Sequence, residues 1–366
     1  MSSLHDLWTL GGQSPWLDNL RRDWIQDGEL QQWVDRGVRG VTSNPSIFQK
    51  AIEGQAIYDE QFGELINSGA SVEEAYWGLV TTDITRALDI LAPVHEASNG
   101  LDGYVSVEVA PSLARDTEGT LKAARELFSK INKPNLYIKI PGTAEGIPAI
   151  RDVLASGISV NVTLLFSVAR YGEIIDAHFD ALEAIDGPLD HVSSVASFFV
   201  SRVDHAVDEQ LAKIGSPEAQ ALMGKAAVAN AKLAYELFLN RYQGPRWDAL
   251  KSRGAQPQRP LWASTSTKNP AYPKTLYVDS LIGPNTVNTM PEVTIAAFET
   301  EGVIGRNADR ALDEAHATLD AIAALGIDLD AITTELENQG VSAFEQAFDD
   351  LLVSLGKKAE QLTSGT

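Results

Sequence analysis

Short apolar runs alternate with longer stretches of helical periodicity along most of the chain. Eight of the runs read as strands: SPWLDN (14–19), GVTSN (40–44), YVSVEVA (104–110), LYIKI (136–140), ISVNVTLL (158–165), HVSSVAS (191–197), PLWAST (260–265) and NTVNTM (285–290). Most are rich in Val, Ile and Leu and end in a polar, Gly- or Pro-containing turn. Between them lie amphipathic stretches. One is TEGTLKAARELFSKIN after the third run, where Thr117 and Glu118 suit a helix start. Another is SPEAQALMGKAAVANAKLAYELFLNRY after the sixth, with apolar residues at helical spacing. Strands that alternate with helices pair in parallel through crossovers, and eight such units predict a closed (β/α)₈ TIM barrel. Residues 45–103 hold extra helices between the second and third strands. A further mainly helical tail follows the eighth. No linker-like composition break or repeat interrupts residues 1–366, so one barrel domain is expected.

The composition is that of a soluble globular chain, with 44% hydrophobic and 22% charged residues. The net charge of −21 disfavours nucleic acid and anionic membranes as partners. A phosphorylated small molecule stays compatible if a local cationic cluster outweighs that field. Cysteine is absent, which excludes disulfides, thiolate nucleophiles and Cys-ligated metal and fits a reducing compartment. The start MSSLHDLWTLGGQ lacks the pattern of a signal peptide, and no apolar run reaches transmembrane length. A cytoplasmic location is the expectation.

Most of the strands carry polar residues near their C-terminal ends: Asp18, Asn44, Glu108, Lys139, Asn161 with Thr163, Ser197, Ser264 and Asn288. Barrel closure brings such positions to one mouth, where barrel enzymes keep their active sites. Lys139, between Ile138 and Ile140, is the sharpest of them. A dry, uncharged amine can attack a carbonyl and form a Schiff base. The alternatives are a snorkelling edge lysine or one paired with a carboxylate. Glu108 is either a proton shuttle beside that amine or its ion-pair partner. Asp18 reads as a general base or, more simply, as a helix N-cap. Asn161 and Thr163 need hydrogen-bond partners, from substrate, water or a neighbouring strand. Arg202 and Lys268 follow the sixth and seventh strands, where barrels commonly bind phosphate, though each could instead be a solvated cation paired with a surface carboxylate. No GxGxxG, Walker A, HExxH or GxSxG string occurs, and the six His are scattered. Neither a metal nor a cofactor is expected.

With those residues in view, the chain resembles the transaldolases, particularly their longer actinobacterial and cyanobacterial branch. The resemblance runs from about Ser14 to about Met290 and rests on GVTSNPSIF (40–48), NLYIKIPGT (135–143), NVTLLFS (161–167), ASFFVSR (196–202) and LWASTSTKNP (261–270). It implies a Schiff-base transfer of a dihydroxyacetone unit between sugar phosphates, in the non-oxidative pentose phosphate pathway, by a monomer or homodimer. By resemblance, Lys139 is the Schiff-base lysine and Glu108 the acid/base acting through a water held by Thr163. Asp18 deprotonates the hydroxyl whose loss cleaves the carbon–carbon bond. Asn44 and Asn161 hold the dihydroxyacetone unit, Phe199 lines the pocket, and Ser197, Arg202 and Lys268 grip phosphate. Shorter relatives carry Arg where this chain has Lys268, and Lys binds phosphate as a point charge and not as a fork.

Three other readings compete. A Schiff-base aldolase similar to fructose-6-phosphate aldolase would release free dihydroxyacetone. A glycosidase would use Asp18 and Glu108 as its carboxylate pair and leave Lys139 without a role. A barrel without catalysis would serve as a scaffold. Some longer relatives resemble fusions to a phosphoglucose isomerase domain. The residues after the eighth strand are too few for one, so no isomerase activity is expected.

Overall fold

A computed structural model describes residues 3–364. All eight predicted runs form strands: β1 (Gln13–Leu17), β2 (Gly40–Val41), β3 (Tyr104–Glu108), β4 (Leu136–Pro141), β5 (Val160–Leu165), β6 (Ser194–Phe199), β7 (Arg259–Ala263) and β8 (Thr286–Met290). They close into one barrel in chain order. Every pairing is parallel, including β8 back onto β1 from Gln13↔Thr286 to Leu17↔Met290. This is the predicted TIM barrel. Parallel strands buried on both faces need near-continuous apolar sequence, which explains why their pattern is so clear.

Observed strands are shorter than the predicted runs at two functional ends. β1 stops at Leu17 and β2 at Val41, so Asp18 and Asn44 lie in the turns just beyond. Gly40 is required where it stands. A Cβ there would sit 2.4 Å from the Trp16 ring, which lies across the start of β2.

Register decides which side chains share a layer. Glu108 pairs with Lys139, and Lys139 with Asn161. Residues opposite each other in a sheet point to the same face, so these three share one layer of the barrel. Between β5 and β6 the register shifts across Val162/Leu165, and Leu164 takes a left-handed φ of 59°. The bulge ends the regular β5 ladder just beyond Thr163.

The opposite end of the barrel is sealed by an ion network. Asp102 accepts from Arg39 at 2.7 Å, Arg259 at 3.0 Å, Ser14 at 2.8 Å and Trp16 at 3.2 Å. Burial works against its charge, but Arg259 and Arg39 outweigh it and hold the carboxyl below its usual range.

The predicted insertions are helical. Residues 45–103 hold Pro45–Ile52, Asp59–Asn67 and the long Val72–Ala97, which starts in a Ser71–Glu74 capping box. The helix after β3 does begin at Thr117, with Asp116 as its cap. The long amphipathic run after β6 is not one helix. It breaks into Pro217–Leu222 and Ala226–Arg241, with Gly224 at φ 72° between them. After β8 the tail ends in a helix of 36 residues, Leu329–Ser364. Gly340 lets this helix reach the barrel mouth, since a Cβ there would come within 2.9 Å of Leu164. Among the described residues, no helix is long and apolar enough to cross a membrane.

Removing Asp102 leaves two arginines, one of them buried, without a counter-charge. Asp102→Ala is expected to lower unfolding free energy in urea by about 3–5 kcal/mol. A loss below about 1 kcal/mol, the scale of a surface pair, would contradict the sealing role.

Candidate active site

Lys139 is the centre of the mouth. It is 4% exposed and its Nζ lies 2.9 Å from Glu108 Oε2 and 3.2 Å from the Ser43 carbonyl oxygen. The carboxylate-paired alternative therefore holds for the resting geometry, and a snorkelling edge lysine does not. Pairing and reactivity are compatible, because Glu108 is a ready proton acceptor. Burial raises its carboxyl above the ordinary range, and Lys139 only partly reverses this. Its second oxygen, Oε1, is buried without a hydrogen-bond partner, as is Thr163 Oγ1. Buried polar atoms of this kind suit a bridging water.

Asp18 does not cap a helix. The helix that follows β1 is Arg22–Gln26, with Arg21 at its cap position. Instead, Asp18 accepts from Thr42 Oγ1 at 2.7 Å, and Thr42 is tied in turn to Thr289 at 2.6 Å. Burial raises the Asp18 carboxyl, while the Thr42 hydrogen bond and the Lys139 charge lower it less. Asp18, Thr42, Lys139 and Thr163 line one cavity of about 150 Å³.

Asn44, Ser197, Phe199, Arg202 and Lys268 line the same cavity. Asn44 also caps the helix Pro45–Ile52, where its Oδ1 accepts from Ile47 N at 2.9 Å, which leaves its NH₂ for the pocket. Asn161 is fully buried and satisfied by neighbouring strands. It donates to Ser106 Oγ at 3.0 Å and accepts from Ser197 Oγ at 2.7 Å. This chain of three side chains joins β3, β5 and β6; its Ser197 end lines the cavity, and Asn161 and Ser106 do not.

Arg202 lies in the first turn of the helix Ser201–Ile214, its guanidinium 5.6 Å from the Phe199 ring centroid. Neither Arg202 nor Lys268 has a carboxylate partner among the described residues, so the surface-pair alternative fails for both. Lys268 sits at the rim. The two cations also line an outer chamber of about 550 Å³ that opens from the cavity. The free N–H groups that a helix start offers an anion are partly used up here. Ser201 N donates to the Ser264 carbonyl at 3.1 Å, and the two serine hydroxyls lie 2.9 Å apart. Asn288 is absent from the cavity wall and instead accepts from Thr265 at 2.9 Å.

Sequence reading missed Thr42, Ser106 and Phe344. Ser106 stands two residues before Glu108, so strand alternation alone could have found it. Phe344 lies on the C-terminal helix, far from any strand, and has no local signal. Its ring centroid is 5.6 Å from Lys139 Nζ. Among the described residues, no group of three His, Asp or Glu side chains forms a metal site.

A parallel eight-stranded barrel with a buried lysine, two raised carboxyls and two unpaired cations at its C-terminal mouth defines a carbonyl-condensing enzyme for an anionic substrate. The family model described as transaldolase/fructose-6-phosphate aldolase matches residues 15–355. The chain is 52% identical to the transaldolase of Acidothermus cellulolyticus over 96% of its own length and 95% of the relative's. It is 50% identical to that of Frankia alni, over 97% and 96% of the two chains. With that of Thiobacillus denitrificans it shares 49%, over 94% and 97%. The chain belongs to the transaldolase family.

The Thr42 hydroxyl stabilises the charged form of Asp18, so its removal must raise that carboxyl further. In Thr42→Val, the Asp18 titration followed by carboxyl-carbon NMR is expected to move up by about 1 pH unit, the size of one hydrogen bond to a charged group. An unchanged or lowered midpoint would contradict the assignment.

Proposed function

We infer that this chain carries out the reaction for which its family is named. It moves a dihydroxyacetone unit from a ketose phosphate, sedoheptulose 7-phosphate or fructose 6-phosphate, to an aldose phosphate, glyceraldehyde 3-phosphate or erythrose 4-phosphate. The 2.9 Å Lys139–Glu108 pair, buried in a phosphate-compatible mouth, is the observation that carries this reading.

The geometry supports one sequence of events. Lys139 passes a proton to Glu108 and its free amine attacks the ketose carbonyl carbon. The carbinolamine loses water as Glu108 returns the proton, through a water held between Thr163 and Oε1. The resulting iminium accepts an electron pair as the bond between the third and fourth carbons breaks. Asp18 takes the proton of the fourth-carbon hydroxyl, and an aldose phosphate leaves. The enamine left on Lys139 then attacks the acceptor aldehyde, and Asp18 returns the proton to the new alkoxide. Water adds to the second carbon of the new iminium, and the reverse of the dehydration frees the ketose phosphate and restores Lys139. Asn44 holds the three-carbon unit, with Ser197, positioned by Asn161, and Phe199 around it. Arg202 and Lys268 bind the phosphate of donor and acceptor in turn. A carboxyl raised by burial is suited to Asp18's reversible proton transfer.

Release of free dihydroxyacetone, the aldolase alternative, would need water at the enamine. The aromatic rings of Phe199 and Phe344 on the cavity wall favour transfer. A glycosidase leaves unexplained why the buried amine lies against Glu108.

Borohydride reduction with fructose 6-phosphate is expected to leave a dihydroxyacetone adduct on the peptide carrying Lys139. An adduct elsewhere, or none, would overturn the mechanism. Lys139→Ala should lose turnover by about 10⁴-fold or more, and Glu108→Gln by about 10²–10⁴-fold. Arg202→Ala should raise KM for fructose 6-phosphate by about 10–100-fold, the loss of one charge-assisted contact, while kcat changes far less. A KM that does not move would remove Arg202 from phosphate binding.

A further inference from the structure

We propose that Phe344, carried to the barrel mouth by the C-terminal helix, is a specificity-determining residue that shields the lysine-bound enamine from water and so sets the ratio of transfer to hydrolytic release. The proposal rests on the Schiff-base role of Lys139.

Four observations converge on this ring. Phe344 is 5% exposed and lines the same cavity as Lys139, Asp18 and Thr163. Its centroid lies 5.6 Å from the lysine nitrogen. The helix that carries it is seated at the mouth by close packing: Gly340, one turn before, approaches Leu164 so tightly that a Cβ would meet it at 2.9 Å. One turn after, Phe348 packs edge-on against Tyr76 of the helix Val72–Ala97, with centroids 5.2 Å apart. Phe344 is thus held from both sides, over the one nitrogen that would carry the intermediate. No polar atom of its own can hold a water there.

The chemistry explains why a hydrocarbon wall matters. Hydrolysis of the enamine needs a proton on carbon, which regenerates the iminium. Water then adds to the second carbon and loses a proton. The carbon–nitrogen bond breaks with its electron pair staying on nitrogen, which takes up a proton. The net change is enamine plus water to dihydroxyacetone plus free amine, without any redox partner. Transfer instead consumes the enamine at its third carbon with the acceptor aldehyde, and water is needed at the second carbon only afterwards, to free the finished ketose phosphate. A ring that keeps water, the source of the proton on carbon, away from the enamine slows the first route and leaves the transfer step alone.

The test measures free dihydroxyacetone and transfer product together, with fructose 6-phosphate as donor and erythrose 4-phosphate as acceptor. Their ratio does not depend on how much of a preparation is active. Phe344→Ala is expected to raise the release-to-transfer ratio by about tenfold or more, equivalent to a barrier change of about 1.4 kcal/mol or more. Phe344→Leu, which keeps an apolar side chain, should give a smaller rise. Leu351→Ala serves as the comparison, since Leu351 is buried on the same helix but lines neither cavity nor chamber. It should leave the ratio within about twofold of the parent, well inside the tenfold step. An unchanged ratio in Phe344→Ala overturns the proposal, and so does an equal rise in Leu351→Ala, which would assign the effect to helix seating. Should the Ala variant fail to fold, the Leu variant decides by the same ratio. Borohydride adducts on Lys139 in each variant separate the two claims. Their absence from the parent protein counts against the Schiff base itself. Their presence with an unmoved ratio counts against Phe344 alone.

Discussion

The site depends on an amine and a carboxyl held 2.9 Å apart where water has little access. A charged lysine buried without a partner would cost several kcal/mol. Here Glu108 stands beside it in register on the adjacent strand. That register is not negotiable within the fold, because a one-residue slip would turn Lys139 out of the barrel and an isoleucine in. Closure of the sheet then brings Asp18 from the end of β1 and Phe199 from β6 to the same cavity. The chemistry therefore rides on the hydrogen-bond ladder of the barrel and not on any local motif.

The two ends of the barrel show what burial does to a carboxyl under opposite conditions. Asp102 is surrounded by two arginines, a serine and a tryptophan, and is held charged. Asp18 and Glu108 have fewer partners, and burial raises both. A saturated carboxylate stabilises and does little else. An under-satisfied one keeps a lone pair and a movable proton, at some cost in stability. Electrostatics follows the same division on a larger scale. The chain carries a net charge of −21, yet Arg202 and Lys268 at the mouth have no carboxylate partner among the described residues. Cations left unpaired in a strongly acidic protein remain available to an anionic ligand.

Much of this is legible in the sequence, for a physical reason. Parallel strands covered on both faces are written as dense apolar runs, so all eight stand out, and a polar residue inside one, such as Lys139 or Asn161, is visible by contrast. The weaker readings are those that depend on partners. Asp18 reads as a cap on sequence, and only the fold puts Thr42 beside it. Arg202 and Lys268 read as surface cations, and only the fold brings both to the wall of the lysine cavity. The run from 216 to 242 reads as one helix, because periodicity survives across a break that a left-handed glycine makes.

The amino-acid order alone determined the class of fold and the inventory of reactive groups, since strand periodicity and side-chain chemistry are local properties. It could not determine which groups meet. The pairing of Lys139 with Glu108 spans 31 positions, the Thr42–Thr289 contact 247, and the seat of Phe344 above the lysine about 200. Those contacts exist only because the sheet closes and a helix from the far end of the chain folds back over its mouth. Distance along the chain has no bearing on distance in space until the hydrophobic core has chosen one arrangement.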